Sequence, residues 1–269
     1  MLDVKTIQSL SGARENVAKI WLPYFQKYFP DYGLTTKERI SSFLSQVGHE
    51  SGGLYFTEER ASGSAYEGRS DLGNNVKGDG TKFKGRGLIQ TTGRANYQDF
   101  KNKYGVDVVN NPNLLGAKNA TVATPEQLKN SLLSALYYWT KKRTYPSRNV
   151  KFKQYNVGNI TPKASILNNE SLNELSDKLI LNKSVNNTDT IKKITQVING
   201  GQNGIDDRLN RFQKGLIMAK ENVEEISKEA LQYTKRNWLP IALIGIGVVG
   251  LIYVGYKHRQ SKMITNIIT

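Results

Sequence analysis

No cysteine occurs among the 269 residues. That excludes a disulfide scaffold, an iron–sulfur site and any thiolate zinc site. Histidine is almost missing as well: His49 and His258 are the only two, too far apart in sequence to form a local ligand pair. No metal site is expected, and with His49 as the single base within reach, Ser-His-Asp and Cys-His chemistries are nearly excluded. Acids are outnumbered, 23 Asp+Glu against 38 Lys+Arg, for a formal net charge of +15. Five of the basic residues (Lys235, Arg236, Lys257, Arg259, Lys262) fall after Leu231, where no acid occurs, so the first 230 residues carry +10. A basic body suits a polyanion such as nucleic acid, a lipid surface or an acidic cell wall. The basic residues are scattered rather than interleaved with aromatics, so no nucleic-acid partner is expected. Carboxylate chemistry or a binding role is what remains.

No secretory signal is expected: MLDVKTIQSLSG has neither the basic start nor the apolar run of one. One long apolar run does exist near the other end. NWLPIALIGIGVVGLIYVGY, Asn237 to Tyr256, holds 20 residues without a formal charge, and as a helix it would be ~30 Å long, the thickness of a bilayer's hydrocarbon core. Trp238, Tyr253 and Tyr256 lie at its ends, where amphipathic rings favour the interface. A single transmembrane helix over 237–256 is predicted, preceded by a polar helical stalk (221–236) and followed by a short basic tail (257–269). The denser basic residues after the helix place that tail in the cytoplasm and the large domain outside it.

The body reads as mainly α. Val17, Ile20, Trp21, Tyr24, Phe25 and Tyr28 recur at helical spacing, as do Ile40, Phe43, Leu44 and Val47, and Leu128, Leu132, Leu133, Leu136 and Trp139. Tyr66 to Lys84 is rich in Gly, Asn and Asp and predicts a long loop, and Thr144 to Asn169 an irregular insertion. Two tempting motifs fail. His49-Glu50-Ser51-Gly52-Gly53 starts like a zinc-protease helix but has Gly53 in place of the second histidine. Gly80 to Gly87, GTKFKGRG, has phosphate-loop glycine spacing, but Arg86 and Gly87 replace the required Lys and Ser/Thr.

A pair of carboxylates survives. ISSFLSQVGHE places Glu50 in the last turn of a helix stopped by Gly52-Gly53, where partial desolvation would make it a usable general acid. Nine residues on, Phe56-Thr57-Glu58-Glu59-Arg60 supplies a second carboxylate beside Arg60, whose charge favours an ionised base. Two carboxylates in opposed environments are what glycoside hydrolysis needs. From spacing alone, Glu50 reads equally as a helix end, and Glu58 and Glu59 as solvated surface charges.

SQVGHESGGLYFTEER, FKGRGLIQTTGRANY, NNPNLL and INGGQNGIDDR, in this order between about Ser41 and Phe212, resemble the motifs of glycoside hydrolase family 19, the chitinases, with their bacterial and bacteriophage lysozyme-like members the nearest in look. The resemblance implies a two-lobed, lysozyme-like helical catalytic domain over 1–220. It matches Glu50 to the general acid and Glu59 to the base of an inverting displacement, with Glu58 the rival for the base. Gln90, Thr92 and Asn96 match residues holding the water or the sugar rings, Asn199 a cleft asparagine opposite, and Arg208 an arginine tied to the catalytic charges. Thr92 would serve equally as a helix cap. The chain departs from the plant members in having no cysteine, and in having Gln202 and Asn203 where they carry an acid. No cofactor is implied. The implied substrate is a β-1,4-linked N-acetylhexosamine polymer, and a basic, anchored body favours peptidoglycan over chitin. A phage lytic enzyme, acting in host lysis or from a membrane-containing virion, fits that combination. Its rivals are a free chitinase and a non-catalytic wall-binding membrane protein.

Overall fold

The computed structural model describes residues 2–146, 165–179 and 184–214. The chain divides into two compact units, Met1–Gly215 and Leu216–Thr269. The second unit, with the expected stalk (221–236), membrane helix (237–256) and tail (257–269), lies outside the described residues. Among the described residues no helix is long and apolar enough to cross a membrane.

The first unit is mainly helical: α1 (Val4–Ser11), α2 (Glu15–Tyr28), α3 (Lys37–Glu50), α4 (Asp79–Lys82), α5 (Arg94–Tyr104), α6 (Pro125–Thr140), α7 (Leu172–Ser176) and α8 (Ser184–Asn199), followed by a helical segment at 205–214. Side-chain caps fix several starts. Asp3 accepts from Thr6 N at 2.8 Å, Thr36 accepts from Arg39 N, and Thr124 with Gln127, and Ser171 with Glu174, form reciprocal capping boxes. Each such cap contributes about 1 kcal/mol.

The apolar stripes meet in one core. Trp21 stacks on Phe25 and Phe25 on Phe29, and Phe43 sits edge-on between Phe29 and Trp139, linking α2, α3 and α6. All five rings are buried. Each is worth about 1.5–3 kcal/mol in area removed from water, and both indoles satisfy their N–H, Trp21 on Leu54 O at 2.8 Å and Trp139 on Asn173 Oδ1 at 3.1 Å. α1 crosses α3 closely because residue 48 is glycine: a β-carbon there would lie 2.5 Å from Ser11 O.

Beyond α3 the chain reverses through three left-handed residues, Gly52, Gly53 and Leu54 (φ 59°, 76° and 61°), and enters a second group of short elements around Phe83, Tyr97 and Phe100. The loop predicted over 66–84 is far from featureless. Glu67 accepts from Gly78 N (2.6 Å) and Gly80 N (2.9 Å), and the buried Asp79 takes Arg94 through both carboxylate oxygens. The predicted irregular insertion also differs at its ends. Arg143–Pro146 and Ser165–Glu170 pair as antiparallel strands β1 and β2, Tyr145 opposite Leu167 with bulges on either side. Buried Leu167 and Ile166 supply the apolar anchor for that pairing. Residues 147–164 lie outside the description.

Candidate active site

Glu50 is the last residue of α3. The helix ends there because Ser51 turns its hydroxyl back to Val47 O and accepts from Leu54 N, closing the left-handed turn. Its side chain is 20% exposed, and Oε1 accepts a hydrogen bond from Arg208 Nη2. Oε2 has no partner among the described residues. Arg208 is 1% exposed; its Nη1 donates to Gln46 Oε1 and its Nε to Asn203 O at 3.3 Å. Gln46 in turn donates to Thr195 Oγ1 on α8 (3.1 Å). Gln202 takes no part. Its amide donates to Lys192 O and Gln196 Oε1, so Glu50 is the one carboxylate that meets this buried guanidinium among the described residues.

Glu59 is held differently. Oε1 accepts from the Tyr66 hydroxyl (3.0 Å) and Oε2 from Gly85 N (3.1 Å), while Glu59 N donates to Gly85 O (2.9 Å). The approach is close at Gly85: a β-carbon there would lie 2.8 Å from Gln90 Oε1 and 3.2 Å from Glu59 Oε2, so both side chains would have to shift. Burial and the bond to Glu59 both push the Tyr66 phenol above its ordinary value, keeping it a donor. Arg60, expected to favour the ionised form, is exposed and makes no ion pair with Glu59; Tyr66 and Gly85 N serve instead. Nothing local in the sequence marks Tyr66, which sits in the Gly-rich loop seven residues beyond its partner.

Glu58 points the other way, its Oε1 3.2 Å from Lys84 Nζ and 3.1 Å from Arg86 Nη2. Arg86 is 5% exposed, and its Nη1 donates to Lys82 O and Tyr97 Oη. Burial pushes the Tyr97 phenol up to about 12.

Gln90 occupies the left-handed region (φ 56°), a strained conformation of the kind found at binding sites, and donates to Gly87 O. Thr92 Oγ1 donates to Gln90 O (2.8 Å), and Asn96 Nδ2 to Thr92 O (2.7 Å). Gly93, not Thr92, is the N-cap of α5. Asn199 ends α8 with its amide engaged inside the INGGQN turn, accepting from Gly201 N (2.8 Å) and donating to Asn203 O (3.1 Å), the same carbonyl that Arg208 uses. Gln90 thus lies with Glu59 around Gly85, Thr92 and Asn96 follow it in a chain of hydrogen bonds, Arg208 binds Glu50 directly, and Asn199 is linked to Arg208 through the shared Asn203 carbonyl.

The helical body holds two carboxylates in different settings, and its family match makes it a glycosidase. Residues 29–168 match the family model for chitinase class I, and the chain belongs to glycoside hydrolase family 19. It is 25% identical over 212 residues to a glycosyl hydrolase family 19 domain-containing protein of Haemophilus influenzae, covering 67% of this chain and 80% of that one. It is 26% identical over 200 residues to acidic endochitinase Q of Nicotiana tabacum (69% of this chain, 65% of the enzyme) and 34% identical over 116 residues to an acidic 27 kDa endochitinase of Solanum lycopersicum (41% and 42%). It therefore spans less than two thirds of either of these plant enzymes. Among solved structures, a bacterial family 19 chitinase superposes with a TM-score of 0.49 at 19% identity, over 80% of this chain and 94% of that one.

Proposed function

We propose that this glycosidase cleaves the β-1,4 bonds of peptidoglycan glycan strands by a single inverting displacement, from a site anchored to a membrane through 237–256. The contrast between the two carboxylates carries the reading. Glu59 accepts hydrogen bonds at both oxygens, which fixes its orientation, whereas Glu50 is tied through Oε1 to Arg208 and keeps Oε2 without a partner among the described residues, open toward a glycosidic oxygen; the motif match assigns Glu50 the acid and Glu59 the base. Glu50 Oε2–H gives its proton to the glycosidic oxygen as the C1–O bond breaks. A water oxygen bonds to C1 from the opposite face, and its proton passes to Glu59. Arg208 then faces the carboxylate left on Glu50. Gln90, Thr92 and Asn96 supply the polar groups around the water and the sugar on the Glu59 side. Asn199 acts through the turn it closes, holding the carbonyl of Asn203 against Arg208. Glu58, matched by two cations, is not free to act as the base.

The basic body and the apolar run support peptidoglycan, an anionic polymer lying directly outside a bacterial membrane. Chitin is the second reading, favoured by the endochitinase relatives, because both polymers present N-acetylglucosamine. Purified sacculi and chitin oligomers, digested side by side and read by mass spectrometry, separate the two. Glycan fragments from sacculi are expected; cleavage of chitin with intact sacculi would overturn the peptidoglycan assignment. Glu50→Gln should abolish turnover on either polymer while leaving binding and melting temperature nearly unchanged. The first product seen by NMR should be the α-anomer.

A further inference from the structure

The residue beside the acid, His49, has a partner of its own. Its Nδ1 lies 2.7 Å from Asp207 Oδ2, and Arg211 Nε donates to the same oxygen at 2.6 Å. Arg211 Nη1 also donates to Ser11 O, at the end of α1. Burial works against the Asp207 charge, but the bonds from Arg211 and His49 outweigh it and hold the carboxyl below its ordinary value. An ionised Asp207 only accepts, so His49 carries its proton on Nδ1. The imidazole lies against the backbone of Gly204, where a β-carbon would collide with it.

These contacts share an architecture with the Glu50 contacts. Gln46, His49 and Glu50 stand on one turn-spaced face of α3 (i, i+3, i+4), and Asp207, Arg208 and Arg211 on the 205–214 helix. Arg208 reaches Gln46 and Glu50; the residue before it reaches His49. The two helices are therefore pinned by two side-chain pairs on the acid's last turn, His49 with Asp207 and Glu50 with Arg208. Gln202 brings no carboxylate to Arg208, so the angle at which the guanidinium meets Glu50 depends on how the 205–214 helix is seated.

We propose that His49 and Asp207 form a positioning pair for the acid: their bond sets the 205–214 helix against α3 and so aims Arg208 at Glu50 Oε1, leaving Oε2 turned to the substrate. Neither residue touches the reacting atoms. The inference rests on Glu50 being the acid, and the test separates the two claims. Misplacing a catalytic group by about 1 Å costs on the order of 100-fold in rate. In the full chain acting on purified sacculi, His49→Leu should lower kcat 10- to 100-fold with KM within about twofold. His49→Asn, whose Nδ2 can replace Nδ1 as donor, should recover most of the loss. Asp207→Asn, an isostere that keeps an acceptor but not the charge, should lower kcat with the same split, and it covers the case in which His49→Leu fails to fold. A purely structural role would lower the melting temperature of all three and leave kcat at the wild-type value in whatever fraction folds; that result overturns the proposal, as does an Asn variant at residue 49 no better than Leu. If Glu50→Gln retains wild-type turnover, it is the acid assignment that fails, irrespective of the His49 variants.

Discussion

Glu58 and Glu59 are neighbours in sequence with opposite fates, because successive side chains along an extended segment point to opposite faces. Glu59 turns to Tyr66 and Gly85; Glu58 turns inward to Lys84 and Arg86. Glu58→Ala would strand the Arg86 guanidinium without a carboxylate, and breaking one side of a buried pair costs about 3 kcal/mol or more. We expect a large loss of melting temperature for Glu58→Ala, and a smaller one for Glu58→Ala combined with Arg86→Met, which removes both charges; equal losses in the two variants would show that the pair contributes nothing. Tyr66→Phe makes a different prediction. It deletes one hydrogen bond to Glu59, worth about 1–1.5 kcal/mol, so kcat should fall about tenfold while KM and melting temperature stay near wild type. A wild-type kcat in Tyr66→Phe would mean that Gly85 N alone positions the base.

At the scale of elements, the loop over 66–84 is the piece whose order hangs on charge. Asp79 is buried, and the bonds from Arg94 hold its carboxyl below the ordinary value of 3.8 against the opposing cost of burial. A carboxyl lowered in the folded state adds stability that is fully present above its unfolded value and is lost as pH falls through the folded one. Stability should therefore decline from about pH 4 downward, first in this loop, and Asp79→Asn should flatten that acid limb while lowering stability at neutral pH. Urea melts across this range read the effect; identical limbs in the two proteins would remove Asp79 as the cause. The same loop shows where sequence reading stops. α2, α3 and α6 are legible because apolar residues at helical spacing must share a buried face. The loop is ordered by Glu67 on Gly78 and Gly80, Asp79 on Arg94 and Tyr66 on Glu59, polar pairs between separated residues that leave no periodic trace. Pairing of β1 with β2 across a long polar stretch is hidden for the same reason. In the site, Glu50, Glu59 and Arg208 stand out through motif resemblance, whereas Gln46 and Asp207 become visible only once α3 and the 205–214 helix are side by side.

For the whole molecule, the open question is what 237–256 does for a catalytic body of charge +10. Two modes of membrane association are available, and they respond oppositely to salt. A charged surface held to anionic lipid is screened over about 10 Å in 0.1 M salt, so it should wash off. Twenty uncharged, mostly apolar residues would, as a helix, be long enough to span, ~30 Å, and burial of such a helix in hydrocarbon would be indifferent to salt and to carbonate. The full chain made in a bacterial host should stay with the membrane through both washes, and a chain ending at Lys220 should appear in the soluble fraction with its activity on sacculi intact. Release of the full chain by salt would leave the basic body as the only membrane contact and return the enzyme to a free wall hydrolase or chitinase. Orientation is read separately. Lys257, Arg259 and Lys262 favour the cytoplasmic side for the tail, so protease added to intact spheroplasts should reach the catalytic unit; protection of that unit would place it in the cytoplasm, where its substrate is out of reach until the membrane itself is breached.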